Sequence, residues 1–398
     1  MDLDVTGVRA SFPALGQGIA HFDGPGGSQV PVEVARAVSE AMCVGMANRG
    51  TVTAAEQRAE STVLHARDAV ADLLGASGQG VVFGRSMTQV TYDVARTVAK
   101  QWGRQDEVVV TRLDHDANIR PWVQAAESAG ATVRWVDFDR ETAELPVGAV
   151  ADVLSRRTRL VAVTAASNLL GTRPDVAAIA DAAHQAGALV YVDGVHLTPH
   201  APVDVASLGA DFFACSPYKF FGPHLGLVVA DPDLLKTLDP DKLLPSSNDV
   251  PERFELGTLP YEMLAGTTAA VDFIAGMTTP AGSRRDRVLR AMEAVQRHED
   301  RLFARLLDGL SRMDRVAVHG RAASRTPTAL FSLRGMTPHE VYVQLAQRGV
   351  NAPAGTFYAI EAARWIGLGD AGAVRAGLAP YTHEADVDRL LNGLSEIG

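Results

Sequence analysis

The sequence predicts an α/β protein: a large domain built on a mostly parallel sheet, followed by a smaller α+β domain. Three observations carry this. Continuously apolar runs rich in branched residues, such as Leu160–Ala165 and Ala188–Val192, suit strands buried on both faces. From there to Lys219 such runs alternate with helical stretches, as in a parallel sheet covered by helices. Finally, 398 residues exceed one ordinary core, so two domains are expected. We set an N-terminal segment at 1–20 that packs on the small domain, the large domain at 21–262 and the small domain at 263–398.

Taken in order, residues up to about Gly18 read as a short helix. His21 to Pro31, HFDGPGGSQVP, is a shaped glycine- and proline-rich loop before a helix that begins near Pro31. A helix over Ala54–Leu74 ends at Gly75. A short apolar strand then enters the turn Gly84-Arg85-Ser86-Met87-Thr88 at the start of an amphipathic helix, where backbone N–H groups and the helix dipole favour an anion. It is neither a Walker loop nor a dinucleotide fingerprint, and an ordinary N-cap would look the same. Glu107–Thr111 is a strand, and a helix follows Pro174. Asp211–Cys215 is a second strand beyond Ala188–Val192, and a return strand follows Lys219. Apolar positions from Val288 to Leu310 make Arg284–Met313 one long amphipathic helix.

Composition narrows the function classes. Hydrophobic content of 47% and charged content of 21% are those of a soluble globular enzyme. A net charge of −10 opposes non-specific binding to nucleic acid, and the arginines between Ser283 and Arg315 alternate with acids and apolar residues as on a wet helix face. The two cysteines, Cys43 and Cys215, are too few for a disulfide framework or a thiolate metal site. The N-terminus lacks the basic and apolar regions of a signal peptide, and no apolar run reaches membrane-spanning length. A cytoplasmic protein with no nucleic-acid and no membrane partner is expected. His196 and His200 stand four apart, but Pro199 breaks a shared helix face and no further ligands cluster there, so no metal is expected.

The chemistry centres on Ala188–Gly222. Asp193 stands where one strand gives out and Lys219 just past the next, so both face the crevice at the strands' C-terminal ends. An amine for a Schiff base and a carboxylate to keep a ring nitrogen protonated suit pyridoxal 5'-phosphate. A surface lysine and a turn-capping aspartate are the plain alternative.

Val192-Asp193-Gly194 and Ser216, Tyr218, Lys219 resemble the active-site segment of class V aminotransferases, in the branch of cysteine desulfurases and selenocysteine lyases. The resemblance runs from about His21 to the last helix. It implies pyridoxal-phosphate fold type I, aspartate-aminotransferase-like, and a homodimer with shared active sites. It further implies that Lys219 carries the aldimine, Asp193 pairs with the pyridine nitrogen and Ser216 touches the phosphate. Met87 and Thr88 fill the slot of the family's phosphate-binding Gly-Thr-Thr, where Met87 offers only its backbone N–H. In the Glu-His-x-Ala-Asn-x-x-Pro-Trp segment the matches are Asp114, His115, Ala117, Asn118, Pro121 and Trp122, which makes His115 the residue lying flat on the cofactor ring. Asn168 falls on the residue that bonds the ring hydroxyl, and His196 stands where the family usually has glutamine. Thr258 matches the threonine that reaches the partner's phosphate, and Arg375 the arginine that clamps the substrate's α-carboxylate.

Tyr358 stands about where the desulfurases keep the cysteine that carries sulfur away, and a phenol cannot form a persulfide. The neighbouring Phe357 and Tyr358 are expected to narrow and dry the pocket. The expectation is an enzyme of a small-molecule α-amino acid, a C–S β-lyase or an aminotransferase. An epimerase of the same fold and a non-catalytic cofactor-binding homologue are the alternatives.

Overall fold

The structure is a computed structural model and describes residues 3–278 and 281–397. Seven strands form the larger sheet: β1 Val81–Gly84, β2 Glu107–Thr111, β3 Thr132–Val136, β4 Thr158–Thr164, β5 Leu189–Asp193, β6 Phe212–Cys215 and β7 Gly226–Ala230. Their order is β1-β7-β6-β5-β4-β2-β3. Only β7 runs antiparallel to its neighbours β1 and β6; the other pairings are parallel.

The apolar runs have a physical reason. Alternate residues of the central strands enter two different cores. Val109, Val161, Val163, Val190, Val192 and Phe213 point to one face. Val108, Val110, Leu160, Ala162, Tyr191 and Phe212 point to the other. Each fully buried Val, Leu or Phe contributes roughly 1.5–3 kcal/mol, so a polar residue on either face of these strands would be costly.

A second sheet comprises β8 Val316–His319, β9 Thr328–Leu333, β10 Ala354–Gly355 and β11 Ala373–Gly377, in the order β10-β11-β9-β8 and antiparallel throughout. It shares a core with the helices Pro338–Gln347 and Glu384–Glu396.

The helix Arg284–Ser311 joins the two halves and opens with a capping box between Ser283 and Asp286. Its Val288, Met292 and Val295 lie in the core around the large sheet. Its Leu302, Phe303, Leu306 and Leu310 lie in the core of the small one. The preceding helix Tyr261–Gly276 buries Leu264, Val271 and Ile274 in the large core. Apolar packing around the large sheet therefore continues past residue 262 and changes over along the long helix.

At the N-terminus, the helix Val5–Ala10 leads to Phe12, whose ring meets those of Phe221, Phe273 and Tyr381. Arg9 bonds Asp386 at 2.7 Å. The segment thus touches both halves of the chain. Ala20–His21 then pairs in parallel with Val350–Asn351, which draws the His21–Pro31 loop beside the small sheet.

Candidate active site

The C-terminal ends of the parallel strands open into a cavity of 640 Å³ lined by residues from both halves of the chain. Asp193 is the last residue of β5 and lies opposite Ala214 of β6. Lys219 closes the single turn Pro217–Lys219 directly after β6, and the buried Phe220 and Phe221 anchor the chain behind it. Its Nζ donates to the Pro25 carbonyl of the His21–Pro31 loop. Burial pushes the amine down to about 7; Arg375 adds to the shift and Asp193 opposes it. Asp193 Oδ1 accepts the Val195 N–H at 2.9 Å. Burial raises this carboxyl to about 6, with the Val195 bond and the Lys219 charge working the other way.

Ser86, Met87 and Thr88 reach the cavity at the N-terminus of the helix Met87–Ala99, where Ser86 Oγ accepts the Gln89 N–H at 3.2 Å. The Met87 side chain turns into the core, so toward the cavity it presents backbone. β7 passes close behind this turn: a Cβ on Gly226 would stand 1.9 Å from the Ser86 carbonyl carbon and 2.0 Å from the Met87 nitrogen. Only glycine permits that approach.

His115 Nδ1 accepts the Ala117 N–H at 3.0 Å. Burial, reinforced by Lys219, lowers its pKa to about 4, so the ring is neutral and its proton resides on Nε2. Its ring stacks on Tyr358 with centroids 5.6 Å apart. Beneath it lies a buried network. Thr111 Oγ1 donates to Asp114, Asn118 Nδ2 donates to Asp114 Oδ1 at 2.7 Å, and Trp122 Nε1 donates to Asn118 Oδ1 at 3.0 Å. Burial pushes Asp114 up to about 8, against the bonds from Thr111 and Asn118. The segment that resembles a catalytic motif is thus mostly a scaffold that holds one imidazole.

Asn168 Nδ2 donates to the Phe357 carbonyl at 2.9 Å, while its Oδ1 is buried without a partner. Arg375 of β11 is 2% exposed. One of its terminal nitrogens donates to the Asn168 carbonyl at 2.9 Å, its Nε has no partner, and the Phe357 ring centroid lies 3.7 Å from its Cζ. Burial lowers this guanidinium to about 9, with Asp23 opposing.

His196 is buried, and its Nε2 meets the hydroxyls of Thr326 and Thr328, each at 3.0 Å. Its ring edge abuts His200, whose Nδ1 bonds Glu299 at 2.9 Å. These pairings bridge the two halves behind the cavity.

Ser216 and Tyr218 also line the cavity, and the Tyr218 ring stacks on His224 with centroids 4.8 Å apart. Thr258 does not join them. It is exposed and borders a separate hollow of 370 Å³ with Arg85 and Gln89. Sequence reasoning missed the Pro25 carbonyl on Lys219 and the lining residues Tyr92, Asp116 and Arg120. The i, i+4 spacing of Asp116 and Arg120, which pair at 2.7 Å, was the one signal that could have found the last two.

This donor set fits pyridoxal phosphate. It offers a buried amine with a lowered pKa, a buried carboxylate with only one oxygen bonded locally, a helix N-terminus and an orphan amide oxygen.

Residues 20–390 match the family model described as aminotransferase class-V. An aminotransferase-like protein, FGM3, of Gibberella zeae is 31% identical over 99% of this chain and 98% of its own. A cysteine desulfurase of Pectobacterium atrosepticum is 31% identical over 100% of this chain and 98% of its own. The apo structure of a cysteine desulfurase from Thermococcus onnurineus NA1 superposes with a TM-score of 0.89 at 25% identity, covering 100% of this chain and 98% of that one. A family match along almost the whole length, on a fold-type-I architecture, means that this chain belongs to the class-V aminotransferases, enzymes that work with pyridoxal phosphate.

Proposed function

We propose that the chain acts on an α-amino acid as a C–S β-lyase or an aminotransferase. The observation that carries this is the meeting, in one cavity, of the buried Lys219 amine, the buried Asp193 carboxylate and an Arg375 guanidinium with an unpartnered edge. Pyridoxal phosphate, when bound, supplies an electron sink for the bond broken at the substrate's Cα.

Lys219 would hold the cofactor through Nζ, and the same nitrogen would serve as the base for the substrate's Cα proton. Its lowered pKa leaves much of the amine unprotonated at neutral pH, as a base requires. Asp193 stays ionised above about pH 6, and its second oxygen would hold the proton on the ring nitrogen. The Met87 N–H, the Thr88 and Ser216 hydroxyls and the helix dipole would hold the phosphate. Neutral His115 would pack on the ring, Asn168 and His196 would serve its oxygen, and Tyr218 would border the cofactor. Arg375 receives the α-carboxylate edge-on.

Thr258 lies outside its own subunit's cavity, which supports a homodimer in which it completes the partner's phosphate site. We place the enzyme in the cytoplasm on its acidic, cysteine-poor composition; among the described residues no helix is long and apolar enough to cross a membrane.

Persulfide chemistry is disfavoured. Tyr358 stands at the mouth, Cys43 is exposed at the end of the helix Val32–Cys43, and burial pushes the Cys215 thiol far up.

The test is the visible spectrum of the purified protein followed by a panel of amino acids, with keto acid, released thiol with ammonia, and D-isomer measured as products. Keto acid in proportion to amine transferred marks an aminotransferase, and thiol with ammonia marks a β-lyase. A Lys219→Ala variant that keeps wild-type turnover would sink the assignment.

A further inference from the structure

Phe357 and Tyr358 both hold left-handed backbone conformations, with φ of 53° and 59°. Bulky residues rarely adopt that region, and two in succession need outside support. The support comes from the large domain. Asn168 Nδ2 donates to the Phe357 carbonyl at 2.9 Å, and the Asp116 N–H donates to the Tyr358 carbonyl at 2.7 Å. One turn on, Glu361 pairs with Arg112 at 2.7 Å and Trp365 Nε1 donates to the Phe138 carbonyl at 2.8 Å. The turn is therefore latched across the cavity mouth. The result is a specific placement of two rings, Phe357 on the face of the Arg375 guanidinium and Tyr358 on the face of His115.

We propose that Phe357 is the specificity-determining residue of this site, an apolar wall fixed over Arg375 that selects α-amino acids carrying a large apolar or aromatic side chain. The proposal rests on the reading of Arg375 as the carboxylate site. With one guanidinium face covered by the ring, a carboxylate docks in the guanidinium plane, on the edge where Nε lacks a partner. The side chain is bonded to the same Cα that carries the carboxylate, so a carboxylate held on Arg375 would bring it beside the Phe357 ring, which lies 3.7 Å from the guanidinium carbon. A flat or branched hydrocarbon excludes water from that ring, whereas a small polar side chain leaves the ring wet. Tyr358, 75% exposed, extends the wall to the mouth and carries less of the selection.

The experiment uses the holoprotein and two unreactive carboxylates, 3-phenylpropanoate and propanoate, which lack the amine and are read by calorimetric titration. The wild type is expected to bind the aromatic acid at least about tenfold more tightly, the scale of burying one ring face. Phe357→Ala should bring the two affinities to within about twofold of each other. Phe357→Leu should keep most of the preference while weakening both acids alike, because the apolar wall survives and the contact with the guanidinium face does not. Circular dichroism of both variants checks that the turn and the fold persist. If the product assay marks an aminotransferase, the kcat/KM ratio of phenylalanine to alanine should follow the same order; if it marks a β-lyase, the ratio of S-benzylcysteine to S-methylcysteine should. A wild-type affinity ratio near one, or an unchanged ratio in both variants, overturns the wall. Arg375→Ala separates the two ideas: if it leaves propanoate binding intact, the carboxylate reading fails and takes the wall with it. If it abolishes binding while the Phe357 variants change nothing, only the wall fails.

Discussion

Replacing Gly226 with alanine probes the phosphate cradle without touching any group that meets substrate. The added methyl would stand 1.9 Å from the Ser86 carbonyl carbon and 2.0 Å from the Met87 nitrogen, both backbone atoms that cannot rotate aside. Carbon contacts are comfortable at roughly 3.5 Å or more, so the turn and β7 must part by more than about 1 Å. Overpacking of this kind costs about 1–3 kcal/mol of stability. Retreat of the helix N-terminus also removes at least one charged-group hydrogen bond to the phosphate, about 1.5–3 kcal/mol, or roughly ten- to a hundredfold in cofactor affinity. The assay is to strip the cofactor, titrate it back and follow its visible absorbance, with thermal melting monitored in parallel. Gly103→Ala is the control, since nothing lies within 4 Å of a Cβ there. Its melting and its affinity should match the wild type. A folded Gly226→Ala protein that binds cofactor as tightly as the wild type would show that the 86–88 turn is not the phosphate site.

Asp193→Asn should lower kcat by about a hundredfold or more, roughly 2.7 kcal/mol, because an amide cannot hold the ring nitrogen's proton; an unchanged rate would mean the pairing is not catalytic. In the apoprotein, modification of Lys219 by an amine reagent should rise with pH to about 7 and level off above it, because burial lowers the amine from 10.5 to about 7 and the protonated form prevails only below that value. A rate still climbing at pH 9 would contradict a buried amine. Arg375→Ala should weaken substrates that carry a free α-carboxylate by a few kcal/mol and leave amines without one largely unaffected, which steady-state kinetics on matched pairs would reveal. Incubation with cysteine followed by mass analysis of trapped thiols should find no persulfide; one on Cys43 or Cys215, formed with stoichiometric alanine, would restore the desulfurase reading.

Legibility tracked sequence distance. The central strands were readable because burial on both faces leaves an uninterrupted apolar run, and their ends moved by only a residue or two. Lys219 and Asp193 were readable because strand ends in such a sheet face the ligand crevice. His115, Asn168 and Arg375 needed the family pattern, since a lone histidine, asparagine or arginine carries no local signal. The contacts that tune these groups join residues far apart in the chain: Pro25 to Lys219, Asn168 to Phe357, His196 to Thr326 and Thr328. No periodicity encodes them. Likewise, the apolar stripe of Tyr261–Gly276 looks the same whether it packs on the large sheet or the small one, so the core's extension past residue 262 was invisible.

The charges of the cavity explain its chemistry better than any one residue does. Lys219, His115 and Arg375 all shift toward losing their positive charge, and in each case burial leads the causes. Lys219 is further lowered by Arg375, and His115 by both, so these neighbours disfavour a charge on the amine and on the imidazole. Asp193 and Asp23 offset only part of this, and Asp193 is itself pushed up by burial. A buried cation such as Arg375 is unfavourable in the free protein and is relieved by an anion. The phosphate proposed at the helix N-terminus and the carboxylate proposed on Arg375 would be two such anions in the one cavity. Burial lowers Lys219 to about 7 and the Arg375 charge adds to that shift, so the guanidinium proposed to receive the substrate's carboxylate also favours Lys219 as the base.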